Sequence, residues 1–208
     1  MILNPGEHTL KTLMVHGNMS KPQVLVIAGP NGSGKSTITK LMPYYGVYIN
    51  ADDLKSEYAL TDLEAAQKAE ALRNKCVEKN ADFTFETVLS TERNLLLLRK
   101  AKKANYEIHC IYVLTSDPDI NVARVKSRVR EGGHDVPEDK IRSRYSKALK
   151  LLPRLLDICD RIFIYDNSII PSLIFKKDED GSGYFATEIW PMKKIKKLLK
   201  NGNGSQLL

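Results

Sequence analysis

Cysteine is scarce in this 208-residue chain, and the three present form no pattern. Cys76, Cys110 and Cys159 are widely spaced, with no C-x-x-C pair, which excludes a disulfide scaffold and a zinc ribbon. Two of them fall in apolar strand-like or pre-strand contexts, so buried free thiols are expected. Long apolar runs are missing too. No stretch is long enough to span a bilayer. Met1 to Ser20 is polar and lacks the apolar centre of a signal peptide. The expectation is a cytoplasmic protein with no membrane partner. Aromatic residues make up only 7% of the chain, and no platform of interleaved aromatics and arginines stands out, which weighs against a nucleic-acid partner. Acidic residues are the minority charge: 25 against 32 Lys and Arg leave a net charge of +7, which invites anionic partners. No segment repeats internally, and the residues from Asn201 onward read as disordered.

What is present reads as one soluble α/β domain spanning 1–208, with 42% hydrophobic and 27% charged residues. Gly29-Pro30-Asn31-Gly32-Ser33-Gly34-Lys35-Ser36-Thr37 fits the phosphate-binding pattern G-x-x-x-x-G-K-[ST]. The apolar run Val24 to Ala28 leads into it as a buried strand, and a short helix from Ser36 to Leu41 follows. Glycines there let backbone N–H groups curl around phosphate oxygens, and the helix N-terminus adds a positive dipole. Lys35 reaches the terminal phosphates, and the Ser36 hydroxyl is the expected Mg²⁺ ligand. A nucleoside triphosphate, ATP with Mg²⁺, is the ligand this predicts.

Strand-like and helical segments alternate along the chain, the signature of an open, mostly parallel sheet. The expected strands are Gln23–Ala28, Val47–Asn50, Phe83–Phe85, Ile108–Leu114 and Arg161–Tyr165, a five-stranded core. Helices are expected over Leu54 to Asn80, after a cap at Ser90, over Asp117 to Glu131 up to Gly132-Gly133, and from Pro137 onward. A terminal hairpin, Ser172–Phe175 with Tyr184–Ile189, turns around Gly181-Ser182-Gly183. An amphipathic helix follows, with Ile195, Leu198 and Leu199 on one side. Lys193, Lys194, Lys196, Lys197 and Lys200 form its solvated face. The fold class is therefore a three-layer P-loop kinase-like domain with a helical lid at roughly 120–150 and a hairpin plus helix at roughly 171–200.

A phosphate loop specifies nucleotide binding and leaves the reaction open. No guanine-reading Asn-Lys-x-Asp follows a late strand, and no long hydrophobic strand ends in Asp-Glu, so a GTPase and a transport ATPase are both excluded. A small kinase instead needs strand-end carboxylates and arginines from a lid. Asp52 and Asp53 follow the second strand and Glu86 ends the third, where ligands of open α/β sheets bind. Arg124 and Arg128 lie one turn apart on a predicted helix, opposite Val122, Val125 and Val129. Arg130, Arg142 and Arg144 flank the Gly132-Gly133-His134-Asp135 turn, a hinge candidate. Helix capping by the aspartates and surface ion pairing by the arginines are the bland alternatives.

The ordered set of the phosphate loop, Ile49-Asn50-Ala51-Asp52, Phe85-Glu86-Thr87-Val88-Leu89-Ser90 and Gly132-Gly133-His134-Asp135-Val136-Pro137 resembles the zeta-toxin-like P-loop kinases. The likeness runs from about Gln23 to Tyr165. It implies ATP-dependent phosphorylation of a small-molecule hydroxyl such as the 3′-hydroxyl of UDP-N-acetylglucosamine, and an antitoxin partner. By the same resemblance Lys35 binds phosphate, Ser36 holds Mg²⁺, and Asp52 is the general base. Glu86 and Thr87 contact the acceptor, and Arg128 is the first lid arginine. The family's second lid arginine has no counterpart in the Gly132–Asp135 segment; Arg130 or Arg142 is expected to substitute, or His134 to take a weaker share of the charge, with Arg124 or Arg130 near Arg128 at the transferring group. Asn167 and Ser168, after the fifth strand, are expected by fold analogy to border the adenine. Two rival readings are a polynucleotide 5′-hydroxyl kinase and a non-catalytic nucleotide-gated interaction module.

Overall fold

In the computed structural model, which describes residues 21–39 and 43–200, a seven-stranded sheet runs in the order β2-β3-β1-β4-β5-β6-β7. The strands are β1 (Gln23–Ala28), β2 (Val47–Ile49), β3 (Phe83–Thr87), β4 (Glu107–Leu114), β5 (Arg161–Asp166), β6 (Ser172–Asp178) and β7 (Gly181–Tyr184). β1 lies between β3 and β4, both parallel to it, with Val26 opposite Phe85 and Cys110. Pairing is parallel from β2 across to β5 and antiparallel from β5 to β7. The expected hairpin thus extends the sheet, giving seven strands where a five-stranded core was expected. Its turn falls at Glu179-Asp180, where the Asp178 carboxylate accepts from the Asp180 N–H, and the glycines sit inside β7. The residues up to Ile189 continue as a turn closed by Thr187 and Trp190.

Seven helices occur among the described residues: α1 (Lys35–Thr39), α2 (Ala51–Tyr58), α3 (Asp62–Glu78), α4 (Arg93–Lys103), α5 (Pro118–Arg130), α6 (Glu138–Ile158) and α7 (Met192–Leu199). The single helix expected over Leu54 to Asn80 is two. Ala59 takes a left-handed φ of 51°, and Thr61 starts the second with a reciprocal Thr61–Glu64 capping box. Ser90 does not cap α4. Glu92 occupies that position without a side-chain hydrogen bond to the helix. The predicted end of α1 at Lys40 and Leu41, the polar Met1 to Ser20 stretch and the tail from Asn201 lie outside the described residues.

The period-two alternation of a strand divides the core between the two sheet faces. Val24, Val26, Phe83, Phe85, Cys110 and Tyr112 face the helices α3, α4, α6 and α7, while Leu25, Ile27, Ile111, Val113 and Phe163 face Ile38 of α1. Cys110 and Cys159 are buried and all three cysteines are free thiols. Val122, Val125, Val136 and Ile141 form a separate small cluster that joins α5 to α6. Ile195 anchors α7, and Lys194 lies over the Trp190 ring while its neighbouring lysines face outward. No helix among the described residues is long and apolar enough to cross a membrane.

Candidate active site

The carboxyl ends of β1, β2 and β3 open onto one cleft of about 460 Å³. The phosphate loop forms one wall, running from the buried end of β1 into α1. Its backbone has shapes a side chain could not accept. Gly29 has φ +143° and Gly34 φ +92°, and a Cβ at Gly34 would lie 2.2 Å from the Asn167 amide nitrogen. Two buried amides grip the loop, one just past the end of β5 and one on α5. Asn167 donates to the Ser33 carbonyl at 2.8 Å, and Asn121 donates to the Asn31 carbonyl at 2.5 Å. Arg144 reaches the Asn31 side chain at 3.5 Å. Asn167, expected to border the adenine, therefore also holds the loop in shape.

Lys35, Ser36 and Thr37 face the cleft beside Asp52 and Glu86. The Lys35 ammonium donates to the Gly29 and Pro30 carbonyls at 2.7 and 2.9 Å. Burial lowers its pKa to about 8, with Glu86 and Asp52 pulling the other way and Arg128 adding to the drop. Asp52 and Asp53 lie in the first turn of α2, whose cap is neither of them. The Asn50 side chain accepts from the Asp52 N–H at 2.9 Å. That leaves the Asp52 carboxylate to the cleft. Asp53 is absent from the cleft wall, and burial, then Glu86 and Asp52, raise its pKa.

Glu86, the penultimate residue of β3, accepts from the Tyr48 hydroxyl at 2.7 Å, which itself accepts from Asn50 at 3.1 Å. Burial, followed by this carboxylate contact, pushes the Tyr48 hydroxyl pKa well up. Thr87 lines the cleft, but its hydroxyl is occupied with the turn that follows. It accepts from the Leu89 N–H at 2.9 Å and the Asn94 amide at 2.7 Å.

Opposite the loop, α5 supplies Arg124 and Arg128 to the cleft. Arg128 donates to the His134 carbonyl at 2.6 Å, and Arg124 donates to the Ser168 carbonyl at 3.2 Å. Helical geometry keeps Arg130 out. Two residues beyond Arg128 it emerges on another side of α5, beside Val129 and Asp135. Arg142 is likewise kept away, paired on the outer surface with Asp119 at 2.6 Å and Glu138 at 2.8 Å. Neither expected substitute for the second lid arginine reaches the cleft; Arg124 does.

Sequence reasoning missed Asn121, Tyr48, Asn94 and Arg73, all of which shape or line this region. Two of them left a signal. Asn121 sits on the valine stripe of α5, and Arg73 continues the buried series Ala65, Ala69, Val77 of α3. A polar residue in an apolar stripe has a buried role. Tyr48 and Asn94 left no such mark.

The family model described as Zeta toxin matches residues 7–179. An uncharacterized protein of Haemophilus influenzae is 30% identical over 129 residues, covering 59% of this chain and 92% of its own length. Among solved structures, the AvrRxo1-ORF1:-ORF2 complex with ATP superposes with a TM-score of 0.68 at 12% identity, covering 96% of this chain and 68% of that one. The structure of the PezAT chromosomal toxin-antitoxin system of Streptococcus pneumoniae gives 0.55 at 19% identity, covering 97% and 86%. These likenesses establish the fold.

Proposed function

The chain belongs to the zeta toxin family, and from that premise we propose that it transfers the γ-phosphoryl group of ATP to a hydroxyl of a small molecule, with a nucleotide-sugar such as UDP-N-acetylglucosamine as the acceptor. The observation that carries this reading is the meeting of Lys35, Asp52 and Arg128 on the walls of one cleft. A pure binding module has no use for a carboxylate and two lid arginines around a phosphate loop.

In this reading the loop amides and Lys35 hold the β- and γ-phosphates. The Asp52 carboxylate accepts the proton of the acceptor hydroxyl as its oxygen bonds to the γ-phosphorus. The bond from that phosphorus to the β–γ bridging oxygen breaks, releasing ADP and a phosphate ester. Arg124 and Arg128 stabilise the charge that builds on the transferring group. Glu86, fixed by Tyr48, orients the acceptor, and Thr87 shapes the turn beneath it. The Ser36 hydroxyl on the cleft wall, a hard oxygen donor, suits Mg²⁺, which would neutralise phosphate charge when bound. A cleft of about 460 Å³ lies in the range that encloses small-molecule substrates.

The PezAT structure is that of a toxin-antitoxin system by its own description, and we place a proteinaceous antitoxin among this chain's partners and the chain in the cytoplasm. The test is incubation of the protein and labelled ATP with UDP-sugars, nucleosides and short oligonucleotides. Label on a UDP-sugar hydroxyl is expected. Label only on oligonucleotide 5′-ends would replace the acceptor assignment, and no transfer to any acceptor would remove the enzyme reading.

A further inference from the structure

The cleft contains a cation that the phosphoryl-transfer machinery leaves unused. Arg73 projects from α3 and is 9% exposed, lying over the Phe85 ring with its guanidinium carbon 5.1 Å from the centroid. Its Nε has no hydrogen-bond acceptor among the described residues. The carboxylate nearest to it in charge, Glu70, is shared with Arg93 at 3.8 Å. Asn74, one residue along, gives its amide to the Glu70 carbonyl and accepts from Lys100. A guanidinium does not escape burial by losing its proton at physiological pH, and among the described residues the ring face and a carboxylate shared with Arg93 are what compensate this charge. A buried cation in that condition is a receptor for an anion.

The surroundings are built to admit one. Ala66 and Ala69 face the cleft on the turns of α3 above Arg73, and their small side chains leave room beside the guanidinium. A second cavity of about 210 Å³ runs outward between α3 and α4 and shares Arg73 and Asn94 with the cleft. Its rim carries Arg93 and Lys100 with the carboxylate of Glu70, and Lys100 also pairs with Glu78 at 3.4 Å. The path from the cleft to the surface is therefore cationic.

We propose that Arg73 binds a phosphate group of the acceptor, a small phosphate ester or diphosphate, and that the α3–α4 groove carries the part of that molecule lying beyond its reactive hydroxyl. This deepens the phosphoryl-transfer reading and rests on it, because it assigns the acceptor end of the same cleft. Specificity then follows from charge. A neutral sugar or nucleoside offers the hydroxyl but leaves Arg73 without a counter-ion, while its phosphorylated form supplies both.

The test fills the triphosphate site first. With the protein saturated in Mg·AMP-PNP, inorganic pyrophosphate is titrated by calorimetry as the minimal probe of the second anion site. Wild type is expected to bind it. Arg73→Gln is expected to weaken pyrophosphate binding at least tenfold while changing AMP-PNP affinity by less than about twofold. Arg73→Lys, which keeps charge and loses the planar fork, should fall between the two. Arg93→Gln, at the exposed rim, should give a smaller loss that high salt removes. Pyrophosphate binding that is absent in wild type, or unchanged in Arg73→Gln, overturns the assignment. If Arg73→Gln does not fold, wild-type affinity in both Arg73→Lys and Arg93→Gln overturns it equally. Failure of AMP-PNP itself to bind would instead count against the phosphoryl-transfer reading, so the two failures are told apart.

Discussion

Lys35 and Asp52 share one cleft and have opposite needs. Burial holds the Lys35 ammonium near a pKa of about 8, against an ordinary lysine value of 10.5. Between those values the unfolded chain keeps a proton that the folded chain has released, so this group favours folding more as pH climbs from about 8 towards 10.5. Below about 8 the buried charge is a standing cost. Triphosphate binding has the reverse dependence, since it needs the ammonium. Its affinity should stay level below about 8 and fall by up to roughly tenfold per pH unit above, with proton uptake on binding. Calorimetry of AMP-PNP binding at pH 7 and pH 9, in buffers of different ionisation heat, measures both. A level affinity through pH 9 would contradict the assignment of Lys35. For Asp52, replacement by Asn should cut turnover by on the order of 10²–10⁴-fold while leaving AMP-PNP affinity close to wild type. Substantial turnover by Asp52→Asn removes the base role. Lys35 and the glycines were legible in the sequence because they belong to a pattern of fixed spacing, and Asp52 because it follows a strand end. For Asn167 the sequence indicates the neighbourhood and not the contact. Its position in the chain says which strand end the side chain leaves from, whereas only packing says that its amide turns onto the Ser33 carbonyl.

Among the elements, the helices after β2 show what local chemistry decides. Alanines and charged residues favour helix throughout Leu54 to Asn80, so propensity alone runs the two helices together. The break lies in side-chain hydrogen bonding: Thr61 accepts from the Glu64 N–H, and the Glu64 carboxylate returns to the Thr61 N–H at 2.8 Å. Thr61-Asp62-Leu63-Glu64 carried that capping pattern in plain view. Replacing Thr61 by Ala should cost about 1 kcal/mol of stability and lower the melting temperature by roughly 2–4 °C. Thermal denaturation followed by circular dichroism reads the change, and an unshifted midpoint would mean the cap contributes nothing. The two helices expected to form a lid were legible for another reason. Gly132-Gly133 ends α5 and Pro137 precedes α6, two strong punctuation marks around the arginines. Which arginines face inward was fixed by helical phase, and phase favoured Arg124 over Arg130.

At the scale of the whole molecule the apolar interior is not continuous. The sheet and its helices share large clusters on both faces, whereas α5 meets the first turns of α6 through the small cluster of Val122, Val125, Val136 and Ile141. A small cluster opens at lower free energy than a large one. Native-state hydrogen exchange should therefore show α5 and the N-terminal part of α6 exchanging faster than β1 and β4, and Mg·AMP-PNP should slow the former selectively. Uniform protection across both regions would show that the lid does not move separately. The parallel core was readable because fully buried strands appear as continuous apolar runs. The addition of β6 and β7 was not, since an antiparallel hairpin has the same alternation whether it stands alone or joins a neighbour.

That addition also sets the borders of the sheet. On one rim is β2, three residues long; on the other is β7, four residues with glycine at both Gly181 and Gly183. Neither rim offers a long, flat ladder of unpaired amides and carbonyls to a passing chain. At high concentration the folded protein should resist stacking rim to rim into fibrils, and whatever self-association it shows should come through side chains.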